Sequence, residues 1–191
     1  MDTNRRRLVP LILVPVLVLA DQITKILIIR FIEPYSVGAS FFDGILRIIH
    51  TRNTAIAFSI GRNLPDGIRL GLFTFIPLVL LVLLLVYYVR SDDFTMLQRW
   101  AVAGIIGGGA GNLIDRILRP GGVVDFIDVK IFGLLGMERW PTFNVADSSV
   151  VVAGLLLLVT LFVDVRGGPH GREPQHSNSR GSGTHRRDGK G

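Results

Sequence analysis

The chain has 191 residues, 49% of them hydrophobic and 19% charged, with a formal net charge of +6 and a mean hydropathy of +0.47. Soluble domains carry about 25% charged residues, so the balance points to a membrane protein built as one compact bundle. There is no cysteine, and three of the four histidines (His170, His176 and His185) lie in the last 25 residues. Disulfides, thiol nucleophiles and thiolate ligands are thereby excluded, and a multi-histidine metal site is not expected.

Crossing the hydrocarbon takes about 20 mostly apolar residues. The first candidate span is 8–29, "LVPLILVPVLVLADQITKILII". Arg5, Arg6 and Arg7 precede it and Val18, Leu19 and Ala20 resemble a cleavage site, as in a secretory signal. The apolar run nevertheless resumes after Asp21 and continues to Ile32, so an uncleaved span is expected. Asp21 and Lys25 are four apart and share one helix face.

Between spans one and two, "GILRIIHTRNTAIAFSIG" sets β-branched and aromatic residues between glycines and predicts a small sheet or hairpin at the outer membrane surface. Span two, 70–89, carries no charge. Span three, 100–118, is rich in glycine; Gly104/Gly108 and Gly107/Gly111 are small-xxx-small pairs that allow close helix approach. It ends in "GNLIDR", with Asn112, Asp115 and Arg116 on one face. The segment "VVDFIDVKIFGLLGMERWPTF" brings Asp125 and Asp128 and reads as short and extended, with Trp140 suited to the interface. Span four, 145–165, opens with Asn144 and Asp147 beside it.

Arginines at the N-terminal tail, in the short loop between spans two and three and in the C-terminal tail put these segments on one side, expected to be the cytoplasm. Residues 167–191 offer nothing to bury and are expected to be a disordered basic cytoplasmic tail, after a four-span domain of residues 1–166. The basic residues cluster at the ends and no nucleic-acid-binding motif is present, so nucleic acid is not an expected partner.

The expected fold is an all-α polytopic membrane protein, four transmembrane helices with a small β-sheet or extended loop region at the outer surface. Charged residues at mid-membrane each cost about 2.5 to 3.5 kcal/mol, so Asp21, Lys25, Asp115 and Arg116 should face one another, water or a ligand. The topology brings Asp125 and Asp147 to the same outer rim, framed by Asn112, Arg116 and Asn144, with Asn53 in position to cap them. Two close carboxyl groups share a proton, which serves peptide hydrolysis of the aspartic type, glycoside hydrolysis or binding of a hard cation. The residues alone do not choose among these.

The blocks "DQITK", "RNTAIAFS", "GGGAGNLIDR", "VVDFID" and "FNVADS" occur in one order in a four-span frame. In this the chain resembles the lipoprotein signal peptidase (signal peptidase II) family. The resemblance implies a membrane-embedded aspartic endopeptidase of the bacterial cell membrane, multi-pass, with both termini cytoplasmic and its active site near the outer surface. It implies cleavage of prolipoproteins just before a diacylglyceryl-modified cysteine, with membrane lipid as the setting and globomycin as an inhibitor. It implies no metal and no organic cofactor, and a monomer suffices. It assigns Asp125 and Asp147 as the catalytic pair, Asn53, Asn112, Arg116 and Asn144 to the substrate, and Asp21 and Asp115 to support, joined by Lys25. One departure is Ala55, where the family usually has glycine; it bears on the loop carrying Asn53. Asp128 stands three residues beyond Asp125 as a decoy or a support. A different class, a small proton-coupled transporter, would use the intramembrane charges as a relay, but no internal repeat supports it. A non-enzymatic assembly protein would not need the two framed carboxylates.

Overall fold

The computed structural model describes residues 3–53, 66–119 and 121–166. Ala55 and the tail from Gly167 lie outside the described residues. A first short helix, α1 (Thr3–Leu8), and a 3-10 turn (Val9–Ile12) lead into α2 (Leu13–Phe31). Pro10 and Pro15 are tolerated because they fall in first turns, where a missing N–H leaves no bond unmade. Pro34 disfavours helical backbone at Glu33, and α2 has ended two residues earlier, with Ile32 extended.

Helix α3 (Asp66–Arg90) follows, with Pro77 inside it. Helix α4 (Met96–Leu118) begins four residues before the start expected for span three. Thr95 and Gln98 explain this, because they form a capping box in which each side chain bonds the other's backbone N–H. Helix α5 is Val145–Arg166. Four helical stretches are long and apolar enough to cross a membrane: Arg6–Phe31, Gly71–Arg90, Met96–Leu118 and Val145–Val163. The protein is a multi-pass membrane protein.

Among these, α4 is the central helix: 61% of its apolar window is buried, against 11% to 17% for the others. Its glycines make this possible. A Cβ on Gly108 would stand 2.4 Å from the carbonyl oxygen of Ala146, and one on Gly111 would stand 2.7 Å from Oδ2 of Asp21. Close backbone approach is how helices associate in lipid, where no hydrophobic force distinguishes a helix from a lipid tail.

Strands β1 (Val37–Phe41), β2 (Leu46–Asn53) and β3 (Val123–Val129) form one antiparallel sheet in the order β1-β2-β3. It is attached where α2 and α4 end and α5 begins. Ile28 of α2 packs against Val124 and Phe126, with Val145 of α5 alongside. In the register, Thr51 faces Asp125 and Asn53 faces Val123, which delivers Asn53 and Asp125 to the helix junction.

Candidate active site

Asn144 precedes α5 and caps it. Its Oδ1 accepts the backbone N–H of Asp147 at 2.9 Å, and its own N–H donates to Oδ2 of Asp147 at 3.2 Å. This reciprocal pair is a capping box in Asn-x-x-Asp form, and it ties Asp147 to the first turn of α5. The Nδ2 of the same Asn144 donates to Oδ1 of Asp125 at 2.7 Å. Asn53 donates to the other oxygen of Asp125 at 3.0 Å. On the α4 side, Nδ2 of Asn112 donates to Oδ1 of Asp147 at 2.7 Å, while its Oδ1 accepts from Asn144 at 3.1 Å. Two carboxyl groups from β3 and α5 are thus held by three asparagines from β2, α4 and the α5 cap.

Burial comes first in the electrostatics of Asp125, which is 2% exposed. Together with the nearby charge of Asp147, it pushes the Asp125 carboxyl up to about 7; the Asn53 and Asn144 donors and the Lys25 cation pull the other way. Asp125 therefore changes protonation near neutrality, which suits proton transfer.

Behind the asparagines lies a buried charge cluster. Lys25 is fully buried and donates to Oδ1 of Asn112 at 2.9 Å. It pairs with Asp21 at 2.8 Å and Asp115 at 3.1 Å. Asp21 also accepts the backbone N–H of Ala146 at 3.0 Å, and Asp115 that of Val124 at 3.0 Å. The charged groups of α2 and α4 at this junction thus divide. Asp21, Lys25 and Asp115 face one another, joining α2, α4, α5 and β3. The Arg116 side chain makes no hydrogen bond or ion pair to the described residues; it is half-buried in the field of Asp147, Asp125 and Asp115.

Two members of this cluster escaped the reading of the sequence. Gln22 bridges Asp21 and Asp115 through Nε2, and Arg119 pairs with Asp115. The spacing of Asp115 and Arg119, i and i+4 at the end of a helix, was an available signal. Asp128 is held apart from the pair, buried between Arg47 and Arg139; it pins the sheet to the segment that follows β3. Ser148 and Ser149 donate to backbone carbonyls of Asn144 and Gly104. His50 sits at the junction of β2 and α2, its Nδ1 2.8 Å from the carbonyl of Ile32. Among the described residues, no group of three or more His, Cys, Asp or Glu side chains is placed to hold a metal ion.

A family model described as signal peptidase (SPase) II matches residues 13–163. The chain belongs to the signal peptidase II family. Among curated relatives, the lipoprotein signal peptidase of Treponema pallidum (strain Nichols) is 44% identical over 157 residues, covering 82% of this chain and 84% of that one. That of Treponema denticola is 44% identical over 164 residues, covering 85% and 94%. Two solved structures of bacterial membrane enzymes share the fold. One is 27% identical at a TM-score of 0.73 over 86% of this chain and 94% of that chain; the other is 28% identical at 0.68 over 82% and 94%. As a signal peptidase II family member the chain is a membrane peptidase, which sets aside the transporter and the assembly protein.

Proposed function

We propose that this peptidase is an aspartic endopeptidase that removes the signal peptide from diacylglyceryl-modified bacterial prolipoproteins, cutting just before the lipidated cysteine. Family membership supports the reaction class, and the relatives' common name, lipoprotein signal peptidase, supports the substrate class. The observation that carries the dyad is Asn144, whose side chain donates to the Asp125 carboxyl at 2.7 Å and accepts the backbone N–H of Asp147 at 2.9 Å, while its own backbone N–H donates to the Asp147 carboxyl at 3.2 Å. A shared partner keeps two carboxyl groups from different elements in one place.

Neighbouring carboxyl groups of this kind hold one proton between them near neutrality. Asp147, in the first turn of α5, takes the role of the carboxylate, and Asp125 holds the proton. Asp147 removes a proton from water as the water oxygen attacks the scissile carbonyl carbon, and Asp125 gives its proton to the carbonyl oxygen. The tetrahedral intermediate then collapses. The C–N bond breaks, the leaving nitrogen takes the proton from Asp147, and the hydroxyl returns one to Asp125. Asn53, Asn112 and Asn144 hold the dyad and line the substrate site with Arg116, whose guanidinium is available to substrate carbonyls. Asp21, Lys25 and Asp115 fix the frame. The reading needs no metal or organic cofactor. In it both termini are cytoplasmic, the sheet faces outward at the cell membrane, residues 1–166 are the peptidase domain, and globomycin inhibits a monomer.

The test is release of signal peptide from a diacylglyceryl-modified prolipoprotein by the purified protein in lipid. Wild type should cut, with globomycin stopping it, while Asp125→Asn and Asp147→Asn should each lose nearly all rate and still unfold cooperatively, with melting temperatures no lower than wild type. Substantial activity in either folded variant removes that carboxylate from the chemistry. No cleavage by wild type removes the substrate assignment.

A further inference from the structure

The sheet has an apolar tip at the end away from Asp125. The turn between β1 and β2 carries Phe42, 75% exposed, next to Phe41, and the segment after β3 carries Phe132, Leu134 and Leu135, 62% to 74% exposed. These two segments are one surface. The backbone N–H of Lys130 donates to the carbonyl of Ile45 at 2.8 Å, and Arg139 donates to the carbonyl of Gly44 at 3.1 Å. Three of the exposed apolar residues stand in left-handed backbone, Phe42 at φ 53°, Phe132 at 53° and Leu135 at 56°. Bulky residues rarely adopt this conformation, and glycine or asparagine would make the same turns with less strain. Strain of this kind at exposed, oily positions points to a role for the side chains themselves.

We propose that this tip inserts into the lipid leaflet on the sheet's side of the membrane, giving β3, and so Asp125, a second anchor beyond the helices. Two observations name lipid as the occupant. First, the apolar surface is continuous with the lipid-facing helices. From Phe31 at the end of α2, 72% exposed, exposed apolar side chains run through Tyr35 and Val37 to Phe41 along β1. Strand β1 is an edge with no further strand beside it among the described residues, and a greasy edge facing water invites aggregation. Second, basic groups stand at the aromatic rings that border this surface. Arg30 lies 5.8 Å from the centre of the Phe31 ring, and Lys130, which also pairs with Glu138 at 3.0 Å, lies 5.2 Å from that of Phe132; Asp43 is the exposed acid in the turn itself. Basic groups above aromatic rings fit phosphates above acyl chains. The inference does not rest on the dyad.

The absence of native cysteine makes the test clean. Phe42→Cys and Leu135→Cys are each labelled with a nitroxide in full-length protein in phosphatidylethanolamine–phosphatidylglycerol vesicles. Leu80→Cys, on the exposed face of α3 within the span, serves as the lipid reference, and Asp92→Cys, in the loop between α3 and α4, as the water reference. Accessibility to oxygen and to a neutral nickel complex is read by electron paramagnetic resonance. The expected oxygen-to-nickel ratio at positions 42 and 135 is several-fold above that at 92 and close to that at 80. Ratios close to that at 92 would put the tip in water and overturn the proposal. Shielding from both reagents would overturn it as well, since a second copy or another protein would then cover the tip. A comparison of bilayer with detergent separates a disturbed fold, which changes the label's mobility in both, from a loss of lipid contact.

Discussion

The Nδ2 of Asn144 stands 2.7 Å from Oδ1 of Asp125, while Oδ1 of the same residue takes the backbone N–H of Asp147. One amide therefore serves as helix cap and carboxyl clamp. Asn144→Ala removes both. Losing a donor at a developing charge costs about 100-fold or more in turnover, and losing an N-cap costs about 1 kcal/mol. The expected result is a fall of roughly that factor in kcat with a melting temperature only a few degrees lower. A variant that keeps wild-type turnover would show that the shared clamp is dispensable.

The carboxyl of Asp125 is raised from 3.8 to about 7, and the sign of its effect on stability follows. The folded state binds the proton more tightly than the unfolded state, so this group favours folding at low pH. That contribution fades as pH rises between about 4 and 7. Asp125→Asn should accordingly raise the melting temperature more at pH 8 than at pH 5. A gain that is equal at both pH values, or larger at pH 5, would contradict the raised value. Wild-type kcat/KM should decline on the alkaline side as the shared proton is lost.

Lys25 is fully buried between two carboxylates. Lys25→Met leaves Asp21 without its cation and should destabilise by about 3–5 kcal/mol. Lys25→Met with Asp21→Asn should recover part of that loss. Thermal melts of both singles and the double variant check this; strictly additive losses would mean that the two residues are not coupled.

Gly108 leaves 2.4 Å between a hypothetical Cβ and the carbonyl oxygen of Ala146. Gly108→Ala should force α4 from α5 and cost about 1–3 kcal/mol. Because Asn112 and Asp147 sit one turn further along the same contact, turnover should drop with it. A neutral melt and full activity would mean the helices can separate without consequence.

Asp128→Asn is the contrast. Its carboxylate is occupied by Arg47 and Arg139, so cleavage should stay within a few-fold of wild type while the melting temperature falls. Loss of turnover without loss of stability would bring Asp128 back into the chemistry.

Much of this protein is determined by its sequence alone. Hydrocarbon thickness demands long apolar runs, and the four runs are plain at any reading. The Asn-x-x-Asp cap at Asn144 and Asp147 is a local pattern, as is the Asp21–Lys25 helix pair, because both depend on residues within one turn. The tertiary structure alone decided which helix is central, and that Lys25 meets Asn112 and Asp115 about ninety positions away in the chain. It also set Asp128 between Arg47 and Arg139, apart from the asparagines that hold Asp125. The physical reason is that periodicity tells which side chains share a face but not what the face meets. In a membrane every face of a span can be apolar, so the partner is chosen by close packing at glycines and by where buried charges find each other.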